Sequence, residues 1–263
     1  MRLLLYKYSA MIGILAVAAI CVQSAAAAPG EKDVPPPTAI PLRFERSVDA
    51  EKARPGDPVI AKTLQVIPLP NGVTLPRGSI LTGRVVEARA FQFDSAPYAR
   101  QTPSILSIHF DRIQNGDLAL NVNLSLRAIA DPILSREAAT PHYIEEVDAR
   151  GTMQLIGGDE FDPFNEPILA ADGSIIAYNR KHGVFAHLIA AKNSQLDPSI
   201  SCLGTDSEQS VAIFSPRACG VYGFSGIYLS STGQDGSGAF ILASTHHSVK
   251  LYAGSTALLQ VVK

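Results

Sequence analysis

The clearest pattern along the chain is an alternation with a period of two. Leu106, Ile108 and Phe110 alternate with Ser107, His109 and Asp111. A Gln114-Asn115-Gly116-Asp117 turn follows. Leu118, Leu120, Val122, Leu124, Leu126 and Ala128 then alternate with Ala119, Asn121, Asn123, Ser125 and Arg127. Successive side chains of a strand point to opposite faces, so this segment predicts a hairpin with one buried and one wet face. A helix would scatter the same leucines around its circumference.

Shorter segments repeat the signal. Leu42 and Phe44 alternate with Arg43 and Glu45, and Val59 to Leu69 and Ile80 to Ala90 are apolar and β-branched. Near the C-terminus, residues 211–214, 227–231, 239–245, 249–252 and 256–262 read as further strands. Arg54-Pro55-Gly56-Asp57, Asn71-Gly72 and the loop Gly233–Gly238 supply turn chemistry between them. The fold class predicted is all-β: an antiparallel barrel- or sandwich-like domain spanning residues 42–263. Residues 131–200 break the pattern and are expected to form an irregular excursion. Within it, Phe185, Leu188, Ile189 and Lys192 fall at helical spacing, which predicts one short helix over Val184–Lys192.

The first residues are not part of this pattern. Arg2 and Lys7 precede an apolar run, Met11 to Val22, and small residues follow at Ser24 to Ala28. The run is shorter than the ~20 residues that span a bilayer, so residues 1–27 read as a secretory signal peptide cut after Ala27. A retained anchor and a lipidated Cys21 are the alternatives. Residues 28–41 are rich in proline and predict an extended tether. No transmembrane span is expected after cleavage, and a periplasmic or secreted location follows.

Composition narrows the partners. A net charge of −2 gives no reason to expect a nucleic acid. Two cysteines lie beyond the signal, Cys202 and Cys219. In an oxidising compartment an even count reads as a disulfide, with a metal pair or a reactive thiol as alternatives. A loop of this size would stabilise the fold by about 3 kcal/mol in the chain-entropy model.

The chemical motifs are weak. Gly157-Gly158-Asp159-Glu160-Phe161 spells the signature of diguanylate cyclases. Pro163 and Pro167 break the helix that should follow it, so a solvated acidic turn is expected instead. Asp159, Glu160, Asp162, Asn165 and Glu166 offer oxygens for calcium, but the spacing matches no EF-hand. His246 and His247 are adjacent, and His182 and His187 are five apart; neither pair has zinc-ligand spacing. Gly223-Phe224-Ser225-Gly226 is not a nucleophile elbow, and Gly233–Gly238 has no phosphate-binding lysine after it. No cofactor and no metal is expected. The test of a hidden catalytic set is whether His109, His142, His182, His187, Asp159 and Ser225 converge.

One resemblance rests on a longer cadence. It runs through Pro55-Gly56-Asp57, Val59, Ala61-Lys62, Leu75-Pro76-Arg77-Gly78-Ser79 and Gly83-Arg84-Val85, with a closing stretch from Leu251 to Val262. This resembles the β-barrel domain of the scaffold protein of type IV secretion and conjugal-transfer channels, and uncharacterised exported bacterial proteins with the same segment. The resemblance implies a barrel and a scaffolding role. The function expected is therefore that of an exported, non-catalytic envelope protein, a scaffold or binding module touching a protein or cell-wall partner. An extracytoplasmic hydrolase is the alternative.

Overall fold

The computed structural model describes residues 32–262 except 36, 70–71, 97–99, 141, 145–147, 162–164, 171 and 194–198. The expected signal peptide and its cleavage point lie outside the described residues. The fold is almost entirely β, built around one nearly closed barrel-like sheet.

The strands that build the barrel and much of the layer over it include, in chain order, β1 (Ala39–Phe44), β2 (Pro58–Thr63), β3 (Ile80–Arg89), β4 (Ser104–Asn115), β5 (Leu118–Asn121) and β6 (Leu124–Ala130). After helix α1 (Pro132–Ala138) come β7 (Pro167–Leu169), β8 (Ile175–Arg180), β9 (Gly183–His187) and β10 (Glu208–Ser210). The last are β11 (Gly220–Tyr222), β12 (Ile227–Ser231), β13 (Ala239–Ser244) and β14 (Thr256–Val261).

The main sheet runs β5-β4-β3-β2-β1-β14-β6-β11. β4 is long enough to serve two neighbours: β5 pairs with Arg112–Asn115, and β13 pairs with Ser104–His109. β12 joins β13. The Leu126 N–H of β6 then donates to the carbonyl of Thr232, just beyond β12, at 2.8 Å. That contact draws the two ends of the sheet together.

The interior is filled by the alternating residues. Ile40, Leu42 and Phe44 meet Val59, Ala61, Leu81, Val85, Leu106, Ile108 and Phe110. Leu124, Leu126, Leu229, Phe240, Leu242 and Leu259 complete the core. The Phe44 and Phe110 rings lie 6.0 Å apart, within the range of favourable aromatic pairs.

The long alternation of residues 118–128 is modified in three ways. First, it is two strands: the chain leaves β4 at Val122–Asn123 and joins β14. Second, Arg127 is the extra residue of a β-bulge, because Leu126 faces Leu259 and Ala128 faces Leu258. The bulge reverses parity, so Ile129 turns into the barrel and Ala128, expected beside Leu126, turns out of it. Third, the expected wet face is dry: every residue of β6 is buried.

A second layer covers it. Ala39, Ala128, Ala130 and Leu258 on the outside of the barrel pack against Leu155, Ile156, Ile168, Ala177, Val184, Ala186, Leu188, Val211, Phe214 and Ala218. The four-stranded sheet β7-β8-β9-β10 supplies much of this layer. The stretch expected to be irregular is thus a β layer. The helix expected over 184–192 is β9, followed by a short pairing of Ala191–Lys192 with Ser201–Cys202. Val184, Phe185 and Ala186 are all buried, so neither period was available to mark a face. The helix is α1 instead. Asp131 caps it, accepting from the Leu134 N–H at 2.8 Å, and Pro132 opens it.

The tether also differs. Lys32–Asp33 pairs with β5, Val34 is buried, and Ala39, Ile40 and Pro41 belong to β1. The domain therefore begins well before residue 42, its first apolar residues hidden among prolines. Residues 211–214, read as a strand, form a turn closed by Phe214 N–H on the Val211 carbonyl, with Ala212 at φ 49°.

Polar pins fasten the layer to the barrel. Arg127 is 1% exposed. Nη1 donates to the Leu203 carbonyl at 2.5 Å, and Nη2 donates to those of Ile189 at 2.5 Å and Pro216 at 2.9 Å. Burial pushes this group down to about 10, so it stays protonated at neutral pH. Cys202 and Cys219 form a disulfide, with Cα atoms 5.8 Å apart. The Cys202 sulfur packs 3.3 Å from the Arg127 carbonyl oxygen. A disulfide sulfur has no proton to give, so this is a packing contact.

Candidate functional site

A cleft of about 860 Å³ opens where the barrel, α1 and the covering layer meet. Four separate elements bring cations to it. Arg43 comes from β1, Arg77 from the turn before β3, Arg136 from α1, and Lys181 from the β8–β9 hairpin, where the imidazole of His182 follows it. No carboxylate is among the described lining residues.

Each cation is positioned by a local structure with an identifiable cause. Arg77 sits in the Pro76-Arg77-Gly78-Ser79 turn. The Ser79 hydroxyl donates to the Pro76 carbonyl at 2.7 Å, and the Thr63 hydroxyl donates to the same oxygen at 2.9 Å. Gly78 takes φ 84°, a conformation a side chain would strain. Lys181 and His182 are the two loop residues between Arg180 and Gly183, which pair across the hairpin. That tip is held by buried Gln65. Its amide donates to the Val184 carbonyl at 2.9 Å and the Ser210 hydroxyl at 2.8 Å, and its oxygen accepts from the Val184 N–H at 3.2 Å. A Cβ on Gly183 would lie 2.4 Å from the Gln65 oxygen, so glycine is required there. Arg136 rides on α1, which docks on β14 through the Ser135 and Thr256 hydroxyls, 2.8 Å apart.

Only one of the four cations has a described acidic partner. Arg43 donates to Glu45 at 3.5 Å, while Lys62 holds the same carboxylate at 3.1 Å. The Lys62 hydrogen bond, with charges nearby, keeps the Glu45 carboxyl below the usual carboxylate range. Arg77, Arg136, Lys181 and His182 make no ion pair with any described residue. Leu64, Val66, Met153, Ala212 and Ile213 give the cleft an apolar floor. Ala212 is in the left-handed region, which costs a residue with a Cβ about 1 kcal/mol.

The residues singled out in the sequence do not converge. Among the described residues, no hydrogen bond or ion pair joins any two of His109, His182, His187, Asp159 and Ser225. His109 contacts Asp111 at 3.2 Å on the outside of β4, and Arg84 engages the same carboxylate. His142 enters through its backbone, paired with Thr152. His187 is exposed at the end of β9, opposite Glu208. His247 lies in a turn with Nε2 2.8 Å from the Ser225 carbonyl oxygen. Of the histidines whose side chains are described, only His182 lines the cleft.

Asp159 corrects the expectation of a solvated acidic turn. Its side chain is 8% exposed, accepts from the Ser215 hydroxyl and lies 3.6 Å from Arg217. Glu160 accepts from Thr152. Gly157, Gly158 and Asp159 all have positive φ, and the carboxylate pins their turn to the 215–217 segment. Of the five oxygens weighed for calcium, Asp162 lies outside the described residues. No group of three or more described His, Cys, Asp or Glu is placed to hold a metal. No described helix is long and apolar enough to cross a membrane, and the disulfide fits an oxidising compartment.

The cleft escaped a reading by motif because its cations are scattered from residue 43 to residue 182. The faint signals were Arg43 at an outward position and Arg77 in its turn. No protein-family model, no curated protein and no solved structure matches the chain.

Proposed function

We propose that the protein is a non-catalytic scaffold or binding module outside the cytoplasm, and that it engages its partner at the cationic cleft. The observation that carries this reading is the gathering of Arg43, Arg77, Arg136, Lys181 and His182 around one concavity without a carboxylate among the described lining residues. The four cations among them repel one another, and only Arg43 has a described carboxylate to offset that repulsion. A bound anion repays the repulsion. General acid–base chemistry would need a proton donor and acceptor of matched affinity beside a nucleophile, and the cleft offers one histidine among arginines. The disulfide and the expected leader support a periplasmic or secreted setting. The resemblance of residues 55–85 to a secretion-channel scaffold barrel leans toward a protein partner in the envelope.

Site-directed photocrosslinking in the native host tests this reading. A photoreactive residue replacing Lys181 should trap a discrete partner in the extracytoplasmic fraction. The same residue replacing Ser237, in the β12–β13 loop, should not. Equal yields from both positions, or none from position 181, would overturn the assignment.

A further inference from the structure

We infer that the cleft receives an extended peptide segment in which acidic and apolar side chains are interspersed, presented by a partner protein. This rests on the reading of the cleft as the binding site and names its ligand class.

Size is the first argument. About 860 Å³ lies within the range of pockets that enclose ligands of many atoms. A single carboxylate or inorganic anion would leave most of it filled with water. The ligand is therefore a chain of several units.

The placement of polarity is the second. The cations stand on exposed positions at the ends of flexible side chains, while Val66, Met153 and Ile213 are only half-buried and form the floor between them. A uniformly charged polymer would pair with the rim and leave these apolar groups wet. A segment with both kinds of side chain satisfies rim and floor together, burying apolar area beneath its ion pairs.

The third argument separates peptide from glycan and from polyphosphate. Sugar rings are gripped by flat aromatic faces, and no Phe, Tyr or Trp is among the described lining residues. Phosphate sites add converging backbone N–H groups, as at glycine-rich turns or long helix starts. The glycines in the lining are far apart in the chain: Gly183 opens β9 and Gly254 lies in the turn before β14. The remaining donors are side chains on long stems, suited to carboxylates spaced along a chain.

Fluorescence anisotropy on the purified protein tests the inference with three labelled probes of equal charge. They are an alternating Glu–Leu peptide, an alternating Glu–Ser peptide and a linear polyphosphate. The Glu–Leu peptide should bind at least tenfold more tightly than either of the others. Met153→Ser should erase its advantage over Glu–Ser while leaving Glu–Ser binding unchanged. Arg136→Glu with Lys181→Glu should weaken both peptides at least tenfold, with thermal melting checking that the variants remain folded. Equal affinity for Glu–Leu and Glu–Ser overturns the peptide inference but leaves an anion-binding cleft standing. Preference for polyphosphate does the same and points to a phosphate polymer. Failure of all three probes removes the cleft reading as well.

Discussion

In the barrel, inward-facing residues recur at every second position. In β9, within the layer that covers it, they do not. Ile40, Leu42 and Phe44 share one face of β1, and Leu106, Ile108 and Phe110 share one face of β4. In β9 the consecutive residues Val184, Phe185 and Ala186 are all buried. Alternation marks an element with one dry face, and it vanishes where both faces are dry. The two regions also hold together differently. The barrel relies on continuous apolar packing and ladder hydrogen bonds. The layer relies on a few polar pins driven through a thin apolar seam: Arg127, Gln65, Ser135 and the Gln209 oxygen that accepts from the Ala39 N–H at 2.8 Å.

That contrast makes the pins the place to break the layer without breaking the barrel. The largest effect is expected at Arg127. Arg127→Ala takes the guanidinium donor from the part-buried carbonyls of Leu203 and Ile189, at about 1–3 kcal/mol each, while the Pro216 carbonyl keeps the Ile189 N–H at 3.0 Å. Relief of the desolvated charge offsets part of this. A net loss of roughly 3 kcal/mol is expected in urea unfolding, with Arg127→Lys intermediate because one ammonium cannot reproduce the fork. A loss below about 0.5 kcal/mol would show that the loops at 189, 203 and 216 are held by other means.

Cys219→Ser comes next. The bridge joins residues 17 apart, and opening it should cost up to about 3 kcal/mol. Protease sensitivity should rise first within residues 189–219, since the barrel does not depend on the bridge. Uniform sensitivity along the chain would mean that barrel and layer unfold as one unit.

How much was legible follows from the same physics. The strands of the barrel and the Cys202–Cys219 pairing could be read, because period-two patterns, turn residues and an even cysteine count are local signals. The bulge at Arg127 could not. A bulge is set by the partner strand's register, and Arg127 in sequence looks like any outward arginine. Asp131-Pro132 carried a helix-start signature that the absence of an apolar stripe concealed. Pro35 to Pro37 disguised the approach to β1. The cleft was the least legible feature of all. Its cations meet only once the layer has folded over the barrel.

The covering layer makes the outer face of β6 an interior. Ser125 tests this most directly. The alternation assigns Ser125 to the wet face, whereas in the structure it is 1% exposed and donates to the Gln260 carbonyl at 3.3 Å. Thiol labelling of Ser125→Cys in the native protein, beside Ser230→Cys on the exposed side of β12, measures that burial. The thiol of the Ser125→Cys variant should react at least a hundredfold more slowly than that of the Ser230→Cys variant and become reactive only in denaturant. Equal labelling rates in folded protein would contradict it: the outer face of β6 would be open to water, and the covering layer, with its cleft, would not exist as described.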